Sequence, residues 1–268
     1  MEKVTPTHNN SNGELALVFS NFLLQTQGII GFRKDALFLV ENGKQQLTSR
    51  AYEQIQQFIK TTESEKPNPS EKTLSDILSA TLLMSSPDAV IRQSKRRIDA
   101  ASIVFVHSLL DATLYSLCCV SYDSDPNAWL NFVKDRQLKI GDVLAKGQDA
   151  ATKVISRDYV ASLERESLIK KSDKLHAICQ PPANANYASN YKFSRDTLER
   201  FDKLRHDIVH KLQFSTEIPG ADGMLDFGIK TGVYFSLMVG EEYDLKTDVT
   251  KEQKQQLLSD NLPNESHL

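Results

Sequence analysis

The sequence predicts an all-α protein. Apolar residues recur at helical spacing along most of the chain, and no stretch alternates with period two for long enough to make a strand. Helix starts are also written in cap pairs such as Ser86-Pro87 and Asp125-Pro126. In chain order, residues 1–12 are polar and are expected to be a disordered tail. Apolar periodicity within 14–40 and 47–60 predicts two or three helices, an N-terminal helical segment over 13–66 that packs on the core. The charged, proline-bearing "TTESEKPNPSEKT" (61–73) reads as a loop or linker before the main domain, 71–245. There Ser86 is expected to cap a helix that opens at Pro87 and runs to about Cys119. "DSDPNAWLNFV" repeats the device, and its Trp129 and Phe132 read as core. Past the loop "QPPANANYASN" (180–190), "KFSRDTLERFDKLRHDIVHKL" offers Asp196 and Glu199 as a capping box. Leu198, Phe201, Ile208 and Leu212 then follow at helical spacing. After "STEIPGADG" (215–223) an apolar, glycine-punctuated helix is expected over about 224–241, and 246–268 is expected to be a polar tail.

The composition narrows the function classes. A chain of 268 residues, 40% hydrophobic and 25% charged, can bury a sizeable core. Its formal charge of −3 removes whole-molecule attraction to phosphate, so any nucleic-acid contact needs a local basic patch. The cysteines are Cys118, Cys119 and Cys179, without a CxxC pair. That argues against a disulfide framework or a thiolate zinc site and fits a reducing cytosol. The polar opening "MEKVTPTHNNSNGE" predicts no secretory signal, and the expected location is cytoplasmic. The apolar run from Ala100 to Val120 has the length of a membrane span, but Asp111 at its middle and Ser102, Ser108, Thr113 and Ser116 favour the central helix of a soluble bundle.

One short stretch concentrates the chemistry. "LRHDIVHK" (204–211) packs one arginine, two histidines and one carboxylate into a helical context. As a solvated helix face it would pair Arg205 with Asp202 at i,i+3 and Asp207 with Lys211 at i,i+4. As a metal site it would use His206 and His210, four apart, with Asp207 after the first, but His107 and His176 carry no spacing that marks them as further ligands. As a metal-free phosphodiesterase it would use Arg205 and His210. Cleavage of RNA through its own 2′-hydroxyl needs a proton acceptor, a proton donor and a cation on the phosphoryl oxygens. Histidine titrates near neutrality, and arginine forks onto two phosphate oxygens.

The run Arg205-His206-Asp207-Ile208-Val209-His210 resembles the HEPN superfamily of all-helical proteins, whose ribonuclease members carry arginine, four to six residues, then histidine. The upstream helix "FVHSLLDATLYSL" (105–117) extends the resemblance, with Asp111 in the position of an acidic residue that faces the motif. The resemblance covers about 87–214. It implies a HEPN-like helical bundle over 71–245 with additional N-terminal helices and a C-terminal helix. It implies a metal-independent endoribonuclease with Arg205, His210 and Asp111 as catalytic residues, and a toxin or antiviral-defence role. Leu212 stands where some members carry a tyrosine that is modified, so no such switch is expected here.

Residues five apart on a helix differ by about 140° around the axis and about 7.5 Å along it. Arg205 and His210 therefore point different ways, and a two-fold dimer that faces two motifs across one cleft solves the problem. His206, Lys203, Arg200 and Lys211, with Arg195, are the expected RNA-facing residues. Lys95, Arg96 and Arg97 form a second basic cluster, and Lys170, Lys171 and Lys174 a third. Tyr187, Tyr191 and Phe193 could stack on bases or pack in the core. The expected partners are RNA, a second copy of the chain and a regulatory protein. No cofactor, metal or membrane is expected. The competing classes are a non-catalytic HEPN-like scaffold that binds nucleotides or a protein, and a metal-dependent phosphohydrolase.

Overall fold

The computed structural model describes residues 8–43, 46, 49–50, 52–53, 55–57, 78, 81, 86–133, 147–179, 193–211 and 220–247. Among them every regular element is helical, so the all-α expectation is met. The α-helices are α1 (His8–Asn42), α2 (Pro87–Ser124), α3 (Gln148–Ser162), α4 (Leu168–Ile178), α5 (Arg195–His210) and α6 (Ala221–Glu242). Short 3-10 turns lie at Ala128–Phe132 and Leu163–Arg165. The expected loops 61–73 and 180–190, half of 47–60, most of 215–223 and the tail after 247 fall outside the described residues.

Local chemistry sets the helix ends. α1 is one continuous helix that already begins at His8, inside the stretch expected as a tail. α2 opens at Pro87 as its sequence predicts, with the Ser86 carbonyl accepting from Ala89 and Val90. Ser102, Thr113 and Ser116 sit inside this apolar helix because each hydroxyl donates to the carbonyl four residues back, at 2.8, 2.8 and 3.0 Å. At α5 the cap is Ser194, whose Oγ accepts from the Thr197 backbone N–H at 3.2 Å. This corrects the Asp196/Glu199 capping box. With Ser194 at the cap, Asp196 becomes a first-turn acid next to the positive end of the helix, and Glu199 pairs with Arg195 one turn below.

α6 ends in a Schellman motif. Asp244 takes a left-handed φ of 52°, the Leu245 N–H bonds to the Gly240 carbonyl at 2.7 Å and the Asp244 N–H to the Glu241 carbonyl at 3.3 Å. Residues 228–240 of α6 are buried all round. Its hydroxyls are satisfied within the helix, Thr231 on the Phe227 carbonyl and Ser236 on the Gly232 carbonyl. Lys230, also buried, is held by Asp226 at 2.8 Å.

The chain divides into two compact units. The first comprises Met1–Gln27, Phe105–His206 and Asp222–Leu268. Its core is built around α6, and glycines let neighbouring helices approach. A Cβ at Gly232 would lie 2.2 Å from Phe22 Cζ, and one at Gly228 would lie 2.8 Å from Val106 Cγ1 and 3.0 Å from Phe201 Cζ. Trp129 is fully buried in the core as expected, and Phe132, half-buried, lies edge-on to it at 5.8 Å. Phe193 joins His176, Tyr234 and Phe235 in an aromatic cluster, the packing role that the sequence allows it. The second unit comprises Gly28–Val104 and Asp207–Ala221. There Arg33 bridges α1 to Asp99 of α2 at 2.8 Å, and Lys95 pairs with Glu41.

Two helices, over Gly13–Asn42 and Pro87–Ser124, are long and apolar enough to cross a membrane by length and composition alone. The protein buries 22% of the most apolar window of the first and 50% of that of the second.

Candidate functional site

α5 arranges the motif residues by helical arithmetic. Arg205 follows Leu198 by seven residues and Phe201 by four, so it falls within about 40° of two fully buried side chains. The guanidinium is half-buried for that reason. Its Nε is buried without a hydrogen-bond partner among the described residues. Arg200 and Lys203 are exposed and lie about 140° and about 160° around the helix from Arg205. His206 and His210 are exposed as well, and Lys211 pairs with Asp207 at 2.6 Å, as the spacing predicts.

The other expected ion pair does not form. Asp202 stands at i−3 from Arg205, yet its carboxylate turns to α2 and accepts from His107 Nε2 at 2.8 Å. A carboxylate can only accept, so the proton of His107 sits on Nε2. The His107 ring is buried and tilted against Phe201 at 5.5 Å between centroids. Burial pushes its pKa below the ordinary value, against the pull of the Asp202 carboxylate, and the Arg205 guanidinium lowers it further.

Asp111 lies one turn beyond His107 on α2, and both carboxylate and imidazole project from the same side of that helix. Asp111 accepts from the Lys171 ammonium of α4 at 2.7 Å. Lys171 is 1% exposed and adds a longer contact of 3.4 Å to the Glu164 carbonyl. The structure therefore brings Asp111, Asp202 and Arg205 around His107 but does not pair Asp111 with Arg205. The basic cluster expected at 170–174 is spoken for as well: Lys170 pairs with Glu166, Lys171 with Asp111, and Lys174 lies 4.2 Å over the Phe132 ring. Arg195 is held by Asp173 and Glu199.

The sequence does not mark the His107–Asp202 pair, because the two residues lie 95 positions apart on different helices. Its one signal for His107 is Asp111 four residues on, in the apolar stretch of α2. Among the described residues no group of three or more His, Cys, Asp or Glu is arranged to hold a metal ion.

The chain matches no family model, no curated protein and no solved structure.

Proposed function

We propose that this protein is a HEPN-type, metal-independent endoribonuclease that cleaves RNA through attack of the 2′-hydroxyl. One observation carries the reading: the Arg205 guanidinium is half-buried on the core side of α5 with an Nε that no described protein group satisfies. The terminal N–H groups of a guanidinium without an ion pair can donate charge-assisted hydrogen bonds to phosphate oxygens, which are roughly twice as strong as neutral ones. Arg205 steadies the charge that builds on the phosphoryl oxygens. His210 takes the 2′-hydroxyl proton, and His210 of a second copy protonates the leaving 5′-oxygen, so the active form is a homodimer. Arg200 and Lys203, which make no ion pair among the described residues, track the flanking backbone. A toxin or defence role in the cytoplasm and control by a regulatory protein belong to the same proposal.

A non-catalytic, nucleotide-binding scaffold is the second reading. It is favoured by Lys171 already engaging Asp111, which leaves that carboxylate less available to orient a histidine. One experiment separates the two. Mixed RNA is incubated with the protein, with and without EDTA, beside Arg205→Ala and His210→Ala. The ribonuclease reading expects chelator-resistant cleavage that falls at least about a hundredfold in either variant. Cleavage abolished by EDTA supports a metal-dependent phosphohydrolase, and RNA binding without cleavage supports the scaffold.

A further inference from the structure

We propose that His107 is a positioning residue that withholds Asp202 from Arg205 and so keeps the guanidinium open to a phosphate. The proposal rests on the reading of Arg205 as the phosphate-holding group. Three observations lead to it.

An aspartate three residues before an arginine on one helix lies within reach of it, and a solvated helix face would pair the two. The pair is absent: Asp202 Oδ1 lies 2.8 Å from His107 Nε2, on a different helix, and Arg205 makes no ion pair or hydrogen bond among the described residues. The imidazole that diverts the carboxylate is itself held in place. His107 is 7% exposed, wedged against Phe201, and Phe201 Cζ packs where a Gly228 Cβ would sit.

The chemistry of the arrangement is competition for one cation. A carboxylate on Arg205 would occupy the donors that a phosphodiester needs and cancel the positive charge that attracts it. Moving that carboxylate onto a neutral N–H keeps its hydrogen bond satisfied without using the guanidinium. Asp111 is kept away in the same manner, by Lys171. Both acids that act on His107 beside Arg205 thus have other donors.

The test uses affinity for a short single-stranded 2′-O-methyl RNA, which cannot be cleaved through its 2′-oxygen, read by fluorescence anisotropy. His107→Phe keeps a ring in the pocket but releases Asp202, and is expected to weaken binding about tenfold. His107→Gln, whose amide N–H can still reach Asp202, is expected to stay within about twofold of the wild type, and His107→Phe/Asp202→Asn is expected to recover most of the lost affinity. A merely structural histidine would not be rescued by removing its own partner. Unchanged binding in folded His107→Phe, or no recovery in the double variant, overturns the proposal. A crystal structure of His107→Phe gives a readout independent of RNA: the Asp202 carboxylate is expected on Arg205, and a structure with the two still apart overturns the proposal by itself. Absence of RNA binding by the wild type would instead refute the functional reading, while the crystal structure still decides the role of His107.

Discussion

At the scale of single residues, partner choice is what the sequence conceals. Arg205 and His210 are legible as candidates from residue type and spacing, and Asp111 only through the resemblance. That Asp202 serves His107, and Asp111 serves Lys171, depends on which helices meet. Both arrangements have measurable consequences. His107 and His176 are each pushed below the ordinary histidine pKa, chiefly by burial. Between the lowered folded values and the unfolded value of about 6.5, the unfolded chain binds the extra protons. Stability is therefore complete above about pH 6.5, falls as pH drops through the folded values, and levels off below them. Thermal unfolding between about pH 8 and pH 5 should show this slope, and His107→Gln should make it shallower, leaving the His176 contribution. A midpoint independent of pH would contradict the buried neutral state. The second consequence concerns Lys171. Asp111→Ala leaves its ammonium buried and uncompensated, and a loss of about 2–3 kcal/mol in denaturant titration is expected, at the low end because Asp111 is partly exposed. Asp111→Leu/Lys171→Met should recover most of it. Equal losses in single and double variants would show that the pair is not the cause.

At the scale of elements, helix starts that depend on adjacent residues are legible and those with competing signals are not. Ser86-Pro87 opens α2 where its sequence says it should. α5 is misread because Asp196 and Glu199 imitate a capping box, while the hydroxyl that reaches Thr197 belongs to Ser194, two residues earlier. The apolar glycine-bearing stretch is readable as the helix α6, but the reason for its glycines is not, since the close approach of Phe22 to Gly232 is a tertiary fact. Gly232→Ala would put a methyl group 2.2 Å from Phe22 Cζ. The gain in helix propensity of about 1 kcal/mol is outweighed by overpacking, so a net loss of about 1–2 kcal/mol is expected in equilibrium unfolding. Phe22→Leu in the same chain should return part of it. A stabilised Gly232→Ala protein would mean that the two helices can separate at no cost.

At the scale of the whole molecule, the helical class follows from periodicity alone, because a repeat of 3.6 residues is a property of sequence. The grouping into units does not. Contiguous segments, 13–66 and 71–245, are the natural sequence reading, whereas the compact units are assembled from interleaved stretches whose boundaries fall inside α1, α2 and α5. Long helices that contribute to two units leave no linker for the sequence to display. The proposed reaction also belongs to this scale. Arg205 and His210 point about 140° apart on one helix, so chemistry that uses both calls for a second copy of the chain. The claim is tested most directly by the ends left on a cleaved RNA in the presence of EDTA. The account expects a 2′,3′-cyclic phosphate on one fragment and a 5′-hydroxyl on the other, with an RNA carrying a 2′-deoxy sugar at the scissile nucleotide left intact. A 5′-phosphate product, or equal cleavage of the deoxy-substituted strand, would contradict it.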